Sequence, residues 1–402
     1  MNMNMASTDL MLKSRINRAF TGKKLLQARF WQATRKKIPT RPSHLRVPKM
    51  AVMKPIIEAK YEPVLEEVCA FSPATVANLG PGFDFLGCAV EGQGDVVEAR
   101  LRPDLPGKVI IEDITGEGGR LSRVAEENCC GIGAIETLKL LGVSDMGVSL
   151  RLQKGLNLGS GLGSSSASSA AAAWAVNALY GCPLTKAELV PAGLIAEAAV
   201  SGWHADNIAP AIMGGFVLIR SYEPKLQLQP LEFGATLHPG VERPNLWFVL
   251  VTPKFEAPTR EMRAALPQEV PLKSMVNNSL QGGSLVAGIL HGDAEMLGQA
   301  LNSDCVIEPA RGPLIPGFIQ AKEAALKAGA FGCTISGAGP TVVAIVKDQT
   351  CGVQVADAVI KAFTDHGNLE IMRATVSTLS TDGAFTCEGT SCSNSFDTIF
   401  VV

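Results

Sequence analysis

Gly159, Gly161 and Gly163 stand at alternate positions, followed by Ser164, Ser165 and Ser166 and an alanine-rich run through Ala173. Glycine lets backbone N–H groups approach a bulky anion and turn toward it. The small-residue run predicts a helix whose N-terminus aims unpaired N–H groups and the positive end of its dipole at that anion. Serine hydroxyls add donors, or a ligand for a divalent cation that bridges phosphates. The segment is thus a candidate phosphate cradle. It is not a Walker loop, which needs Lys after its last glycine, where Ser164 stands here. Nor is it the dinucleotide fingerprint, whose spacing is Gly-x-Gly-x-x-Gly. The bland alternative is a flexible linker, but Trp174, Val176 and Leu179 place a helix-forming apolar tract directly behind the glycines.

Three other clusters carry polar groups beside buried-type sequence. Segment 72–84 packs Asn78, Gly80, Gly82 and Asp84 into a short turn after a strand-like run. Taken alone, Asn and Asp there read as turn-formers as readily as ligands. Segment 201–207 sets His204, Asp206 and Asn207 directly before an apolar run, Ile208 to Met213. A lone His in such a place reads as a satisfied core residue; several polar types together point to a site. Segment 334–341 is a second glycine turn, with Gly337 and Gly339, leading into a buried strand, and by itself could be a hairpin.

The elements that must position these groups alternate between strand and helix. Runs 68–76, 94–102, 109–114, 148–153, 216–219, 247–251 and 341–346 have strand character. Helices are predicted over 126–141, from the glycine loop onward, from the Thr185–Glu188 capping box to about 200, and over 284–301, 319–330 and 353–366. No internal repeat or heptad pattern occurs. Two α+β domains divided near residue 225 follow, with an irregular tail from residue 384 rich in Ser, Thr and Cys.

The 402 residues are 47% hydrophobic and 18% charged, a globular composition with room for two or three domains. The net charge of −2 conceals an asymmetry. Residues 1–54 hold thirteen Lys or Arg and one acid, Asp9, so the remainder carries −14. That basic segment lacks the apolar core of a secretory signal and is similar to an organelle transit peptide, with a basic nucleic-acid-binding arm as the alternative. An acidic body argues against nucleic acid as the main partner. The longest apolar strand run, 246–251, is far too short for a membrane span. Ten scattered cysteines without a Cys-x-x-Cys pair suit a reducing compartment.

Together, the four clusters resemble the signature segments of the GHMP small-molecule kinases. The strings ATVANLGPGFD, HADNIAPAIMGGF, EAPTREMRAALP and VIEPARGPLIPG resemble the homoserine kinases among them, plastid-targeted plant type included. The resemblance runs from about Cys69 to Thr381. It implies a two-domain α+β GHMP kinase fold: a ribosomal-protein-S5-domain-2-like N-terminal domain over 64–225 and a ferredoxin-like C-terminal domain over 226–383. These follow a transit-like extension, 1–63, and precede the tail, 384–402. One departure is Asn157, where the family usually has Pro or Lys.

The activity implied is transfer of the γ-phosphoryl of ATP to the side-chain hydroxyl of L-homoserine, with Mg2+. ATP is expected at Leu158, Gly159, Ser160, Gly161, Leu162, Gly163, Ser164, Ser165, Ser166, Ala167 and Ser168, and Mg2+ at Ser165 and Glu197. The substrate is expected at Asn78, Asp84, His204, Asn207, Thr259, Arg263 and Arg311. The two arginines suit its carboxylate, because planar guanidinium forks match that geometry. Asn207, Glu197 and Asp84 are the expected catalytic participants, with Asp206 as an alternative base that the resemblance does not favour. A homodimer in the plastid stroma, with the cytoplasm as the alternative location and no nucleic acid or membrane partner, completes the expectation. Rival readings are a GHMP kinase for mevalonate or a sugar, whose substrates lack an ammonium group, and a non-catalytic ligand sensor on the same fold.

Overall fold

A computed structural model describes residues 61–200, 202–387 and 399–400, the last pair as backbone only. All of them belong to the body Met53–Val402. The basic segment 1–54, where the targeting expectation falls, lies outside the described residues, as does 388–398.

Two sheets organise the body. The first is built on β1 (Glu67–Ala77) and the 17-residue β2 (Leu86–Arg102), which pair antiparallel. β2 is long enough to serve two further neighbours. Its end pairs with β4 (Gly147–Gln153), itself parallel to β3 (Val109–Thr115), and its start pairs with β5 (Phe216–Ser221). β6 (Gln227–Leu231) extends the sheet beyond β5, so the first sheet reaches past the division expected near residue 225. The second sheet is antiparallel throughout. It comprises β7 (Trp247–Pro253), β8 (Gly332–Ile335), β9 (Val342–Val346), β10 (Ile371–Thr378) and β12 (Ile399–Phe400), in the order β12-β10-β7-β9-β8.

Helices pack on the first sheet: α1 (Cys129–Leu140), α2 (Ser164–Leu179) and α4 (Ala205–Met213) lie against its strands, and α3 (Lys186–Val200) lies on those helices. α2 touches both central strands and all three of the other helices. A helix enclosed on every side needs small side chains, and Ala170 to Ala173 are each fully buried. Gly133 lets α1 cross it closely, since a Cβ there would lie 2.6 Å from the Ser169 hydroxyl. The second sheet carries α9 (Phe318–Lys327) and α10 (Gln349–Ala362) on its own core of Val249, Val251, Ala321, Val355 and Phe363. A third core joins the two sheets, where Val76, Leu86 and Val90 meet Phe248, Leu250 and Ile345.

Two expectations need correction. The helix predicted over 284–301 is two, α6 (Leu272–His291) and α7 (Ala294–Leu301). Gly292 breaks it at φ 68°, and Asp293 caps the second helix by accepting from the Met296 N–H at 2.9 Å. The tail is not irregular from its start. β11 (Phe385–Cys387) adds to the outer edge of β1, returning the chain to the first sheet, and β12 borders β10. Among the described residues, no helix is long and apolar enough to cross a membrane.

Candidate active site

The glycine loop joins β4 to α2, and each of its three glycines takes a left-handed backbone, at φ 66°, 82° and 65°. Only glycine adopts that conformation at three alternate positions without strain. Space forbids other residues at two of them. A Cβ on Gly161 would lie 2.5 Å from the Ser336 carbonyl oxygen, and one on Gly163 would lie 2.0 Å from the Thr75 hydroxyl. Gly163 precedes α2, whose first turn has no side-chain cap and no acidic residue. Its leading N–H groups are therefore left for an anion. The Ser160 and Ser166 hydroxyls are buried, with no hydrogen-bond partner among the described residues. Ser165 is half-buried, whereas Ser164 and Ser168 turn their hydroxyls inward, to the Leu156 carbonyl and to Asp95.

Beneath the loop lies a buried ion pair that the sequence did not reveal. The Lys154 ammonium binds Asp95 and donates to the Ser164 carbonyl at 2.7 Å and the Ser168 hydroxyl at 2.8 Å. Asp95 in turn accepts the N–H groups of Gly155 and Leu156 at 3.0 and 3.1 Å. The pair thereby ties the end of β4 to the first turn of α2. A lone Lys closing an apolar strand before a glycine was its only trace in the sequence.

The second glycine turn is stitched to the first. Ser336 donates its hydroxyl to the Gly161 carbonyl at 2.7 Å, and Thr341 donates its own to the Ser160 carbonyl at 2.6 Å. The Gly337 carbonyl then accepts from both Asn78, at 2.9 Å, and Arg311, at 3.1 Å. Asn78 and Asp84 both have positive φ, 71° and 63°, and the Asn78 side chain accepts the Asp84 N–H at 3.0 Å. The bland reading of Asn78 as a turn-former is therefore part of its role. It also brings this turn to the loop.

Arg263, from the short α5 (Thr259–Ala264), grips Asp84 through both Nη atoms at 3.0 and 2.8 Å. His204 Nδ1 lies 3.6 Å from the same carboxylate and 3.3 Å from Arg263. Arg311 from α8 (Glu308–Arg311) is 2% exposed and donates to the carbonyls of Met262 and Gly337. No carboxylate among the described residues pairs with it. Both guanidinium groups stack on Phe83, with centroid distances of 5.2 and 5.1 Å. Burial, and then the charge of Arg263, push the Arg311 guanidinium down to about 10.

Asn207 accepts the Thr75 hydroxyl at 2.8 Å on Oδ1, next to Gly163, which leaves its amide as donor. Asp206 is buried, its Oδ1 without a partner among the described residues, and its carboxyl is pushed up to about 7 by burial and by the charge of Asp84. Glu197, on α3, is 3% exposed and its charge is felt by Asp206 and Cys129. Thr259 is half-buried one turn before Arg263, with no side-chain hydrogen bond among the described residues. The structure thus joins Asp84, His204 and Arg263 in one cluster, sets Arg263 and Arg311 on Phe83, and links Asn78 and Arg311 through Gly337 to the glycine loop. Phe83, Thr75 and the Lys154–Asp95 pair are additions.

The GHMP kinases N terminal domain family matches residues 131–215, and the GHMP kinases C terminal family matches 285–365. The chain is 55% identical to homoserine kinase of Arabidopsis thaliana over 83% of its length and 88% of that protein. The chain belongs to the homoserine kinases of the GHMP family. It is also 42% identical to homoserine kinase of Chloroherpeton thalassium over 76% of this chain and 95% of that one. Among solved structures, homoserine kinase from Cytophaga hutchinsonii superposes with a TM-score of 0.74 at 39% identity, covering 82% of this chain and all of the other. Mevalonate kinase of L. major, at 19% identity and TM-score 0.59, shares the fold.

Proposed function

We propose that this chain transfers the γ-phosphoryl group of ATP to the side-chain hydroxyl of L-homoserine, giving O-phospho-L-homoserine. The homoserine kinases it resembles support that reaction, and one observation carries the choice of acceptor. Among the described residues Arg311 is a buried cation without an acidic partner, two hydrogen bonds from the glycine loop. Burying an unpaired charge is costly unless an anion joins it, so Arg311 calls for the carboxylate of an amino-acid alcohol. Mevalonate also has a carboxylate, but it has no ammonium group to offer Asp84, the carboxylate beside the two arginines.

The residues divide the work by position. Alternate glycines and the start of α2 hold the triphosphate, with Ser160 and Ser166 as additional donors. Arg311 and Arg263 take the substrate carboxylate, and Asp84 takes its ammonium with Asn78 and His204 alongside. Thr259 borders the same end. Asn207, with its oxygen turned to the Thr75 hydroxyl, offers its amide N–H to the acceptor hydroxyl, and a neutral amide orients that hydroxyl but cannot deprotonate it. Attack then proceeds without a general base, and the hydroxyl proton passes to phosphoryl oxygens that become more basic as the new bond forms. A loose transition state asks mainly for alignment and charge compensation.

Mg2+ fits this chain's donors. Among the described residues no three His, Cys, Asp or Glu side chains form a metal cage, and an ion carried on phosphates does not need one. Glu197 and the Ser165 hydroxyl would hold it, an all-oxygen set. When bound, it supplies compensation for charge on the β- and γ-phosphates. Segment 1–63 is proposed as a plastid-targeting extension; its basic, acid-poor composition and the plant relative support that reading.

The test is ADP release with ATP and Mg2+ against L-homoserine, threonine, serine, mevalonate and galactose. A large preference for homoserine is expected. Equal rates on mevalonate, or no turnover with any acceptor, would overturn the assignment.

A further inference from the structure

Asp84 and Arg263 neutralise each other in this structure, although each is assigned to a different end of the substrate. Their contact is bidentate, at 2.8 and 3.0 Å, and both side chains are about one-third exposed, 32% and 35%. The two arginines beside Phe83 are held very differently. Arg311 is fixed by two backbone carbonyls and fully enclosed. Among the described residues, Arg263 is held by side chains alone, Asp84, His204 and the Phe83 ring, its Nε is buried without a hydrogen-bond partner, and its helix has six residues. One guanidinium is tied to the backbone and the other to side chains alone.

We propose that substrate binding is an exchange of ion pairs, in which the ammonium of the acceptor replaces Arg263 on Asp84 while its carboxylate draws Arg263 toward Arg311. This rests on the reading of Asp84 and Arg311 as the two ends of the amino-acid site. A zwitterion whose charges share one carbon gives each separated partner a new mate in the same step. A ligand with one charge cannot. A lone ammonium takes Asp84 but strands Arg263 next to Arg311, two cations on one aromatic ring. A lone carboxylate is met by Arg311, yet lies beside an Asp84 that Arg263 can leave only by abandoning it. Breaking a partly enclosed pair by removing one member leaves the other uncompensated, which costs more than the pair itself contributes. The pair would therefore select for zwitterions, beyond the contacts made to either end.

The exchange predicts gains as well as losses. 3-Aminopropan-1-ol is homoserine without its carboxylate, and 4-hydroxybutanoate is homoserine without its ammonium. Each is measured as an inhibitor against homoserine and as an acceptor, on wild type, Arg263→Leu and Asp84→Asn. Arg263→Leu should lower kcat/KM for L-homoserine by about two orders of magnitude. It should nevertheless bind 3-aminopropan-1-ol about tenfold more tightly than wild type, because Asp84 is already released. Asp84→Asn should do the same for 4-hydroxybutanoate; Asn tolerates the left-handed backbone at this position, φ 63°. Melting temperatures establish that both variants fold, and Arg263→Gln replaces Arg263→Leu should the latter not fold. If each one-charge ligand binds its variant no better than wild type, including no detectable binding to either, the exchange is overturned. Homoserine turnover by wild type would then still stand, so the two readings fail separately.

Discussion

Lys154 and Asp95 form an ion pair directly under the first turn of α2, with side chains 1% and 0% exposed. An ammonium near a helix N-terminus opposes the helix dipole. Asp95 makes the arrangement tolerable, and the Ser164 carbonyl and Ser168 hydroxyl take the remaining ammonium protons. The loop that presents N–H groups to phosphate is thus held from below by a neutral, fully bonded unit.

Lys154→Met should therefore cost about 3–5 kcal/mol of stability, because it leaves a buried carboxylate without its cation. Lys154→Met combined with Asp95→Asn should recover much of that loss, since Asn still accepts an N–H from Gly155 or Leu156. Urea denaturation midpoints of the three proteins test this. A double variant as unstable as the single one would mean that the charge pair is not the source of the loss.

The three loop glycines should not respond alike to alanine. Gly159 is left-handed but a Cβ there meets nothing within 4 Å, so Gly159→Ala should cost only the conformational strain, about 1–2 kcal/mol. Gly163→Ala adds a clash with Thr75 that pushes on Asn207 and the start of α2. It should raise the KM for ATP and lower kcat together. Steady-state kinetics of the two variants, with ATP varied, distinguish them; identical behaviour would contradict the packing described.

What the sequence made legible was the part of the site carried by contiguous residues. The alternate glycines, the 204–207 cluster and the arginine segments each declare their chemistry within a few positions. The contacts that join them were hidden, because they unite distant parts of the chain. Lys154 meets Asp95 across 59 residues and Arg263 meets Asp84 across 179. Nothing local in segment 72–84 shows that Phe83 will carry two guanidinium groups. The fold was misread for the same reason. β11 looked irregular because its strand character comes from the open edge of β1, with Cys387 opposite Cys69. The break at Gly292 was written locally, as a Gly-Asp pair between apolar runs, and the longer helical periodicity masked it.

Asp206 gives the site a pH signature. Its carboxyl is pushed up from an ordinary value near 3.8 to about 7, by burial first and by Asp84 and Glu197 against the opposing Arg263. The unfolded chain gives up this proton from about pH 4, while the folded protein keeps it until about pH 7. Asp206 therefore lowers stability progressively across that window, by a few kcal/mol at its upper end, and adds no further loss above it. Asp206→Asn should flatten the dependence of the denaturation midpoint on pH between 5 and 7. It should also keep turnover within about tenfold of wild type, whereas loss of a general base costs about 10²–10⁴-fold. A collapse of turnover on that scale would restore Asp206 as the base.

Removal of residues 1–54 should leave kcat and both KM values unchanged if that segment serves only as an address. The site described above is built from residues between Thr75 and Thr341. An inactive truncated enzyme would contradict the address reading.

Arg311→Leu tests the anchor of the amino-acid end. The guanidinium contributes two hydrogen bonds to carbonyls as well as its charge, so part of the effect is structural. Loss of a buried partner for the substrate carboxylate should cost about 2–5 kcal/mol in kcat/KM for homoserine. The rise should fall chiefly on the KM for homoserine, with the KM for ATP changed far less, since the glycine loop keeps its own ties through Ser336 and Thr341. Arg311→Lys should not restore the loss, because a single ammonium cannot serve Met262, Gly337 and a carboxylate in one plane. An unchanged homoserine KM in Arg311→Leu would remove this residue from the substrate site.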